Sequence, residues 1–177
     1  VVENLEYMTA DYWGALRKRI WDKCGRHLPI FAMCGAAGDQ SPRDLIRRDR
    51  GEKNMFTMEG VAEIGKRLQQ TFEYKLADAK KSIVRNPVLQ HDYNALYECI
   101  GVLGNAKYVA NSPVYNAESH IIRLGDIAIA SNPFELFTVY GLKIKARSLA
   151  AQTFLSQLTG DDAGYLATEA AIRGGSY

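Results

Sequence analysis

No apolar run in this sequence approaches the roughly 18 residues that a membrane-spanning helix needs, so no transmembrane segment is expected. Charge of one sign is not in excess: 22 Lys and Arg stand against 20 Asp and Glu, a net charge of +2. That balance offers no electrostatic basis for nucleic acid as a partner. The one basic cluster, Arg43, Arg47, Arg48 and Arg50, is interrupted by Asp44 and Asp49 and reads as a solvated face. Cysteine is scarce and scattered. Cys24, Cys34 and Cys99 form no Cys-x-x-Cys pair, so neither a zinc ribbon nor a disulfide framework is indicated. Histidine is limited to His27, His91 and His120. No signal-peptide pattern opens the sequence. It begins Val-Val-Glu without a Met, and is expected to be a piece of something longer.

What is present is an ordinary globular composition, 47% hydrophobic and 24% charged over 177 residues. That is enough chain for one domain with a real core. The expected fold class is α/β: a mixed sheet with flanking helices and active-site loops at the strand ends.

Periodicity places the elements. Thr9 to Cys24 reads as a helix capped by Thr9, with Trp13, Leu16, Ile20 and Cys24 on one face. Pro29 to Cys34 is apolar and reads as a buried strand, with Cys34 a small buried side chain. Arg43 to Asn54 reads as a charged surface loop. Thr57 starts a long helix to about Arg85, with an apolar stripe through Val61, Ile64, Leu68, Phe72, Leu76, Ala79 and Ile83. Asn86 to Asp92 suggests a short strand and Asn94 to Val102 a short helix. Glu118 to Leu124 and Ile127 to Ser131 read as strands around the turn Gly125-Asp126. A helix is expected from about Phe134 to Arg147, with Leu136, Val139, Leu142 (or Ile144) and Ala146 facing inward. Gln152 to Leu158 reads as a further strand.

Three times an apolar segment ends in a turn rich in Gly, Pro, Asn or Asp and is followed by one conspicuous polar residue: Ser41, Glu135 and Tyr165. In α/β sheets ligands bind outside the carboxyl ends of strands. If the three segments are parallel neighbours, Ser41, Glu135 and Tyr165 share a pocket. The loop Gly35-Ala-Ala-Gly-Asp-Gln-Ser-Pro-Arg43 is the most suggestive of the three. Gly38 permits close backbone approach, Asp39 can hold a turn, and Pro42 pushes Ser41 toward an extended backbone. It reads either as a catalytic loop with Ser41 at its tip or as an ordinary turn. Glu135 equally reads as a helix N-terminal residue complementing the dipole, and Tyr165 as a half-buried aromatic.

Gly38-Asp-Gln-Ser-Pro resembles the Gly-Asp-x-Ser-Pro signature of the neutral (alkaline, non-lysosomal) ceramidase family. Ala10-Asp-Tyr-Trp-Gly14 is similar to a segment ahead of that signature. Arg123-Leu-Gly-Asp126 through Ser131-Asn-Pro-Phe-Glu-Leu136 is similar to the family's strand ending in Pro-x-Glu. Ala163-Gly-Tyr-Leu-Ala-Thr168 through Gly175-Ser-Tyr177 is similar to its Tyr-containing loop. The order runs from one end of the chain to the other, leaving only about Pro87 to Tyr115 unmatched. Where the family has Pro-Gly-Glu-Phe, this chain has Pro-Phe-Glu-Leu.

The resemblance implies the C-terminal part of a zinc-dependent amidase domain that splits the N-acyl bond of an N-acylated lipid or another small amide, in a secreted or periplasmic setting. It implies that Glu135 and Tyr165 are zinc ligands and that two histidine ligands lie upstream of Val1. It also implies that Ser41 and Tyr177 act at the catalytic centre, with Gly38 and Asp39 binding substrate or supporting the loop. Ser41 is then a nucleophile or a hydrogen-bond donor. Two other readings compete: a non-catalytic binding or structural member of the same fold, and an unrelated serine hydrolase pairing Ser41 with His120.

Overall fold

The structure, a computed structural model, describes residues 1–2, 5–53, 55–95, 118–160 and 162–175. It comprises two compact units: Val1–Ala32 with Ser41–Ile83, and Met33–Gln40 with Val84–Tyr177.

The first unit is helical. Helix α1 spans Asp11–Cys24, α2 Leu45–Asp49 and α3 Met58–Lys81. Leu16 and Ile20 of α1 are buried, as the spacing of the apolar residues predicts, together with Val61 of α3. The two helices close on each other at Gly65, where a Cβ would meet the Ala15 Cβ at 2.8 Å. Helix α3 begins with a capped turn: the Thr57 hydroxyl accepts from the Gly60 N–H at 3.1 Å. Its apolar stripe is covered only in part. Leu68 stays open to solvent, and Ile83, also exposed, lies beyond the end of α3 at Lys81. Thr9 does not cap α1 through its side chain in the usual way; its hydroxyl accepts from Asp11, and Ala10 occupies the cap position.

The stretch expected as a surface loop, Arg43 to Asn54, contains α2. Asp44 starts it by accepting from the Arg47 N–H at 3.0 Å. The basic cluster there faces carboxylates: Arg47 lies 3.3 Å from Asp44, 3.8 Å from Glu52 and 3.9 Å from Glu63.

The second unit is built on a mixed sheet. Its strands are β1 Leu89–Ala95, β2 Glu118–Leu124, β3 Ile127–Ser131 and β5 Gln152–Ser156, in the order β1-β2-β3-β5. Pairs β1/β2 and β2/β3 are antiparallel, and β3/β5 is parallel. The β2–β3 hairpin has the boundaries the sequence predicts, with Gly125 at φ 60° in the turn. A parallel pair needs a crossover, and α4, Thr138–Arg147, supplies it. A second, two-stranded sheet pairs β4 Glu135–Leu136 in parallel with β6 Tyr165–Leu166. Helix α5, Glu169–Arg173, follows and is capped by the Thr168 hydroxyl.

Three expectations change. Pro29 to Cys34 is not a strand. Phe31 is 79% exposed and Cys34 is exposed; an apolar run alone carries no information about whether a neighbour exists to pair with it. The helix expected from Phe134 begins at Thr138, because Glu135 and Leu136 are used as β4. Of the residues expected to face inward, Leu136 is buried, but Val139, Leu142, Ile144 and Ala146 are exposed. Helix α4 rides on the edge strand β5, so only a narrow line through Gly141, against Leu155, is covered. The short helix expected over Asn94 to Val102 lies almost wholly outside the described residues; Asn94 and Ala95 belong to β1.

Candidate functional site

Two chain segments leave the carboxyl ends of the neighbouring parallel strands β3 and β5, and both return as short paired strands. After β3, Asn132 folds back so that its side-chain oxygen accepts from the Phe134 N–H at 3.0 Å. Pro133, fully buried, fixes the backbone ahead of Glu135. After β5, the chain turns through Gly160 and Gly164, both at positive φ. The two returns are stitched by Ala163 N–H to Pro133 O at 2.8 Å, Glu135 N–H to Gly164 O at 2.8 Å and Phe137 N–H to Leu166 O at 3.3 Å.

This ladder makes Glu135 and Tyr165 direct register partners. Residues opposite one another on adjacent strands project to the same face. The side chains of Glu135 and Tyr165 therefore share one face of the two-stranded sheet, although 29 positions intervene between them in the sequence. Glu135 is half-buried and Tyr165 is exposed. Glu135 sits in a strand, so its reading as a helix N-terminal residue does not apply.

Gly38 and Asp39 hold the backbone that follows Glu135. Gly38 N–H donates to Leu136 O at 2.7 Å. A Cβ on Gly38 would lie 2.4 Å from the Glu135 carbonyl oxygen, so only glycine fits there. Asp39 Oδ1 accepts from the Thr138 N–H at 2.7 Å and from the Thr138 hydroxyl at 2.6 Å. It thus caps α4, at whose N-cap position Phe137 gives no side-chain capping hydrogen bond. Partial desolvation of the Asp39 carboxyl opposes ionisation, but the Thr138 side-chain and backbone bonds, with Gln40, outweigh it and hold the group below the usual carboxylate range.

Gln157 was not singled out by the sequence, and it is central to this arrangement. It is 5% exposed. Its Oε1 accepts from both the Ala37 N–H and the Leu136 N–H at 3.1 Å, its backbone N–H donates to Cys34 O at 2.9 Å, and its Nε2 approaches Cys34 Sγ at 3.4 Å. One side chain thereby joins the Gly38 loop to β4. Its only signal in the sequence is a polar residue at the end of an apolar strand. Tyr140 adds a further tie, donating from its hydroxyl to Ala167 O at 3.2 Å.

Of the three segments expected to be parallel neighbours, those leading to Glu135 and Tyr165 are so; the one before Ser41 is not a strand. Ser41 belongs to the first unit. Its hydroxyl accepts from the Arg43 N–H at 3.4 Å, and it is exposed. Tyr177 lies outside the described residues. His120 lies on β2, where Glu118 and His91 engage its ring nitrogens. Among the described residues no helix is long and apolar enough to cross a membrane.

A scan against protein-family models, a search of curated proteins and a search of solved structures each return no match.

Proposed function

We propose that this chain carries two oxygen ligands of a zinc-dependent amidohydrolase that splits the amide bond of an N-acylated lipid, as in the ceramidase-like family it resembles. The observation that supports this reading most is the pairing of Glu135 with Tyr165 as register partners on β4 and β6. A carboxylate on the same face as a phenol is what the resemblance asks of these two positions, and catalytic zinc sites use three protein ligands, carboxylates among them, and leave a position open. The pair is not a complete set. Among the described residues no group of three or more His, Cys, Asp or Glu could hold a metal. The two histidines that the resemblance calls for ahead of Val1 are part of the proposal. Zinc, when bound, supplies an activated water and polarises the acyl carbonyl.

The chain's own residues then have distinct tasks. Glu135 and Tyr165 present oxygen donors. Gly38, Asp39 and Gln157 keep β4 where it is, through the bonds to Leu136 and Thr138. Ser41 and Tyr177 enter the proposal through the resemblance, as groups that contact the substrate; a hydroxyl there would donate to the developing oxyanion.

The test is hydrolysis of a fluorescent short-chain N-acyl sphingosine by the full-length protein. Activity lost on chelation, restored by zinc and reduced at least 100-fold in Glu135→Ala supports the reading. Activity that persists through chelation, or no activity in protein shown to be folded and zinc-loaded, removes it.

One observation favours a second reading. Gly38 and Asp39 are fully used in architecture, the first in close backbone packing and the second as a helix cap. A binding or structural protein of this fold would need both for that reason alone. Such a protein would hold no zinc at Glu135.

A further inference from the structure

On the face of the main sheet formed by β1 and β2, His91 and His120 meet through their ring nitrogens, with His91 Nε2 3.0 Å from His120 Nδ1. In the antiparallel register His91 stands opposite Ile122 and Tyr93 opposite His120, so the two histidines are diagonal neighbours on one face. Their ring planes are 8° apart and their centroids 5.2 Å apart. With the nitrogens closer than the centroids, the rings meet edge to edge.

The hydrogen bonds around His120 determine which of its nitrogens is free to act as a ligand. His120 Nε2 lies 3.2 Å from Glu118 Oε2. An ionised carboxylate only accepts, so in the neutral imidazole Nε2 carries the proton and Nδ1 holds a lone pair. That lone pair faces His91 Nε2. The strand beneath is pinned from β3: Ser131 Oγ accepts from the His120 N–H at 2.9 Å, and Ser119 Oγ donates to Ser131 O at 2.7 Å. His91 is exposed and free to adjust, and the His120 side chain is 31% exposed.

We infer that His91 Nε2 and His120 Nδ1 form a two-nitrogen site for a late first-row divalent cation, Cu²⁺ in preference to Zn²⁺, with Glu118 as the carboxylate behind one ligand. Two nitrogens about 2.0–2.1 Å from one ion lie about 2.9 Å apart in cis positions of the square plane that Cu²⁺ prefers and about 3.3 Å apart on a tetrahedral Zn²⁺, so the pair at 3.0 Å changes its separation least for copper and needs chiefly to tilt. Carboxylate to imidazole to metal is a recurrent arrangement that fixes the tautomer and strengthens the ligand. Imidazole ligands suit copper, nickel and zinc, and affinity peaks at copper. Binding takes the place of the proton between the two nitrogens; that proton leaves His91 Nε2 and is taken up, through solvent, at His91 Nδ1, so both imidazoles stay neutral. Water completes the coordination. The site is separate from Glu135 and Tyr165 and does not rest on the proposed hydrolase activity.

The experiment is a titration of the untagged full-length protein with Cu²⁺, read by electron paramagnetic resonance for nitrogen hyperfine coupling and repeated with Zn²⁺ by calorimetry. It is carried out on the natural sequence and on His91→Ala, His120→Ala, Glu118→Gln and Glu135→Ala, with circular dichroism confirming each fold. The expected result is one equivalent of Cu²⁺ with two nitrogen ligands, lost in either histidine variant and kept in Glu135→Ala. Glu118→Gln should weaken it about 10–100-fold. Copper binding unchanged in His91→Ala overturns the inference, as does binding lost in Glu135→Ala but retained in both histidine variants.

Discussion

Asp39 caps helix α4 across 99 positions of sequence: one carboxylate oxygen takes both the backbone N–H of Thr138, at 2.7 Å, and its hydroxyl, at 2.6 Å. The capping residue is therefore supplied by the Gly-Asp-x-Ser-Pro loop rather than by the chain leading into the helix. The same loop fixes the strand carrying Glu135, so loop geometry and the position of Glu135 are linked through backbone contacts.

Replacing Asp39 with Ala removes that cap and should destabilise the second unit by about 0.5–1 kcal/mol, the lower part of the range for lost helix caps because the site is exposed. Asp39→Asn keeps an acceptor and should lose less. The ionised group also ties the cap to pH. Its pKa in the folded chain is below the ordinary 3.8, so its stabilisation is fully present above that value and declines as pH falls through the lower folded value. Urea unfolding at pH 7 and near pH 3 should show the gap between the natural chain and Asp39→Asn narrowing in acid. A gap of equal size at both pH values would contradict the assignment.

Gly38→Ala should be worse than its small size suggests. The added methyl would stand 2.4 Å from the Glu135 carbonyl oxygen and 2.9 Å from its carbon, both backbone atoms. Relief requires β4 to move, at a cost of about 1–3 kcal/mol for overpacking. Amide hydrogen exchange should quicken at Leu136 and Glu135. Unchanged protection there would mean that the loop and strand are not in this contact.

Gln157→Leu tests the buried clamp. It preserves much of the side-chain volume but leaves the Ala37 and Leu136 N–H groups without an acceptor. Each buried donor left unpaired costs about 1–3 kcal/mol, so the second unit should become markedly less stable. Gln157→Glu retains an oxygen and should fall between the two. Equal stabilities for Leu and Gln at this position would show that the two amides are satisfied elsewhere.

Legibility in the sequence followed the strength of local signals. The β2–β3 hairpin was readable because a Gly-Asp turn separates two runs rich in Ile, Leu and Ala. Helix α3 was readable from its long apolar stripe and Thr57 cap. Pro29 to Cys34 misled because hydrophobicity marks a segment that could be buried without saying what covers it. Strands β4 and β6 are two residues each, too short for any period to register, and they lie where a helix start and a turn were expected. Glu135 and Tyr165 were identified by the company they keep in the chain; their adjacency depends on the parallel order of β3 and β5, which no local pattern encodes. Gln157 shows in the sequence only as a polar residue closing an apolar run, because its role lies in tertiary hydrogen bonds.

In the proposed hydrolase, Glu135 and Tyr165 bind one zinc ion together. Zinc content of the full-length protein, purified without chelator and carrying His91→Ala so that the sheet-face pair contributes nothing, tests it most directly. About one zinc per chain is expected, reduced by more than half in Glu135→Ala and in Tyr165→Phe while the fold is retained. Zinc content that is unchanged by both substitutions, or absent from the folded parent protein, would contradict it.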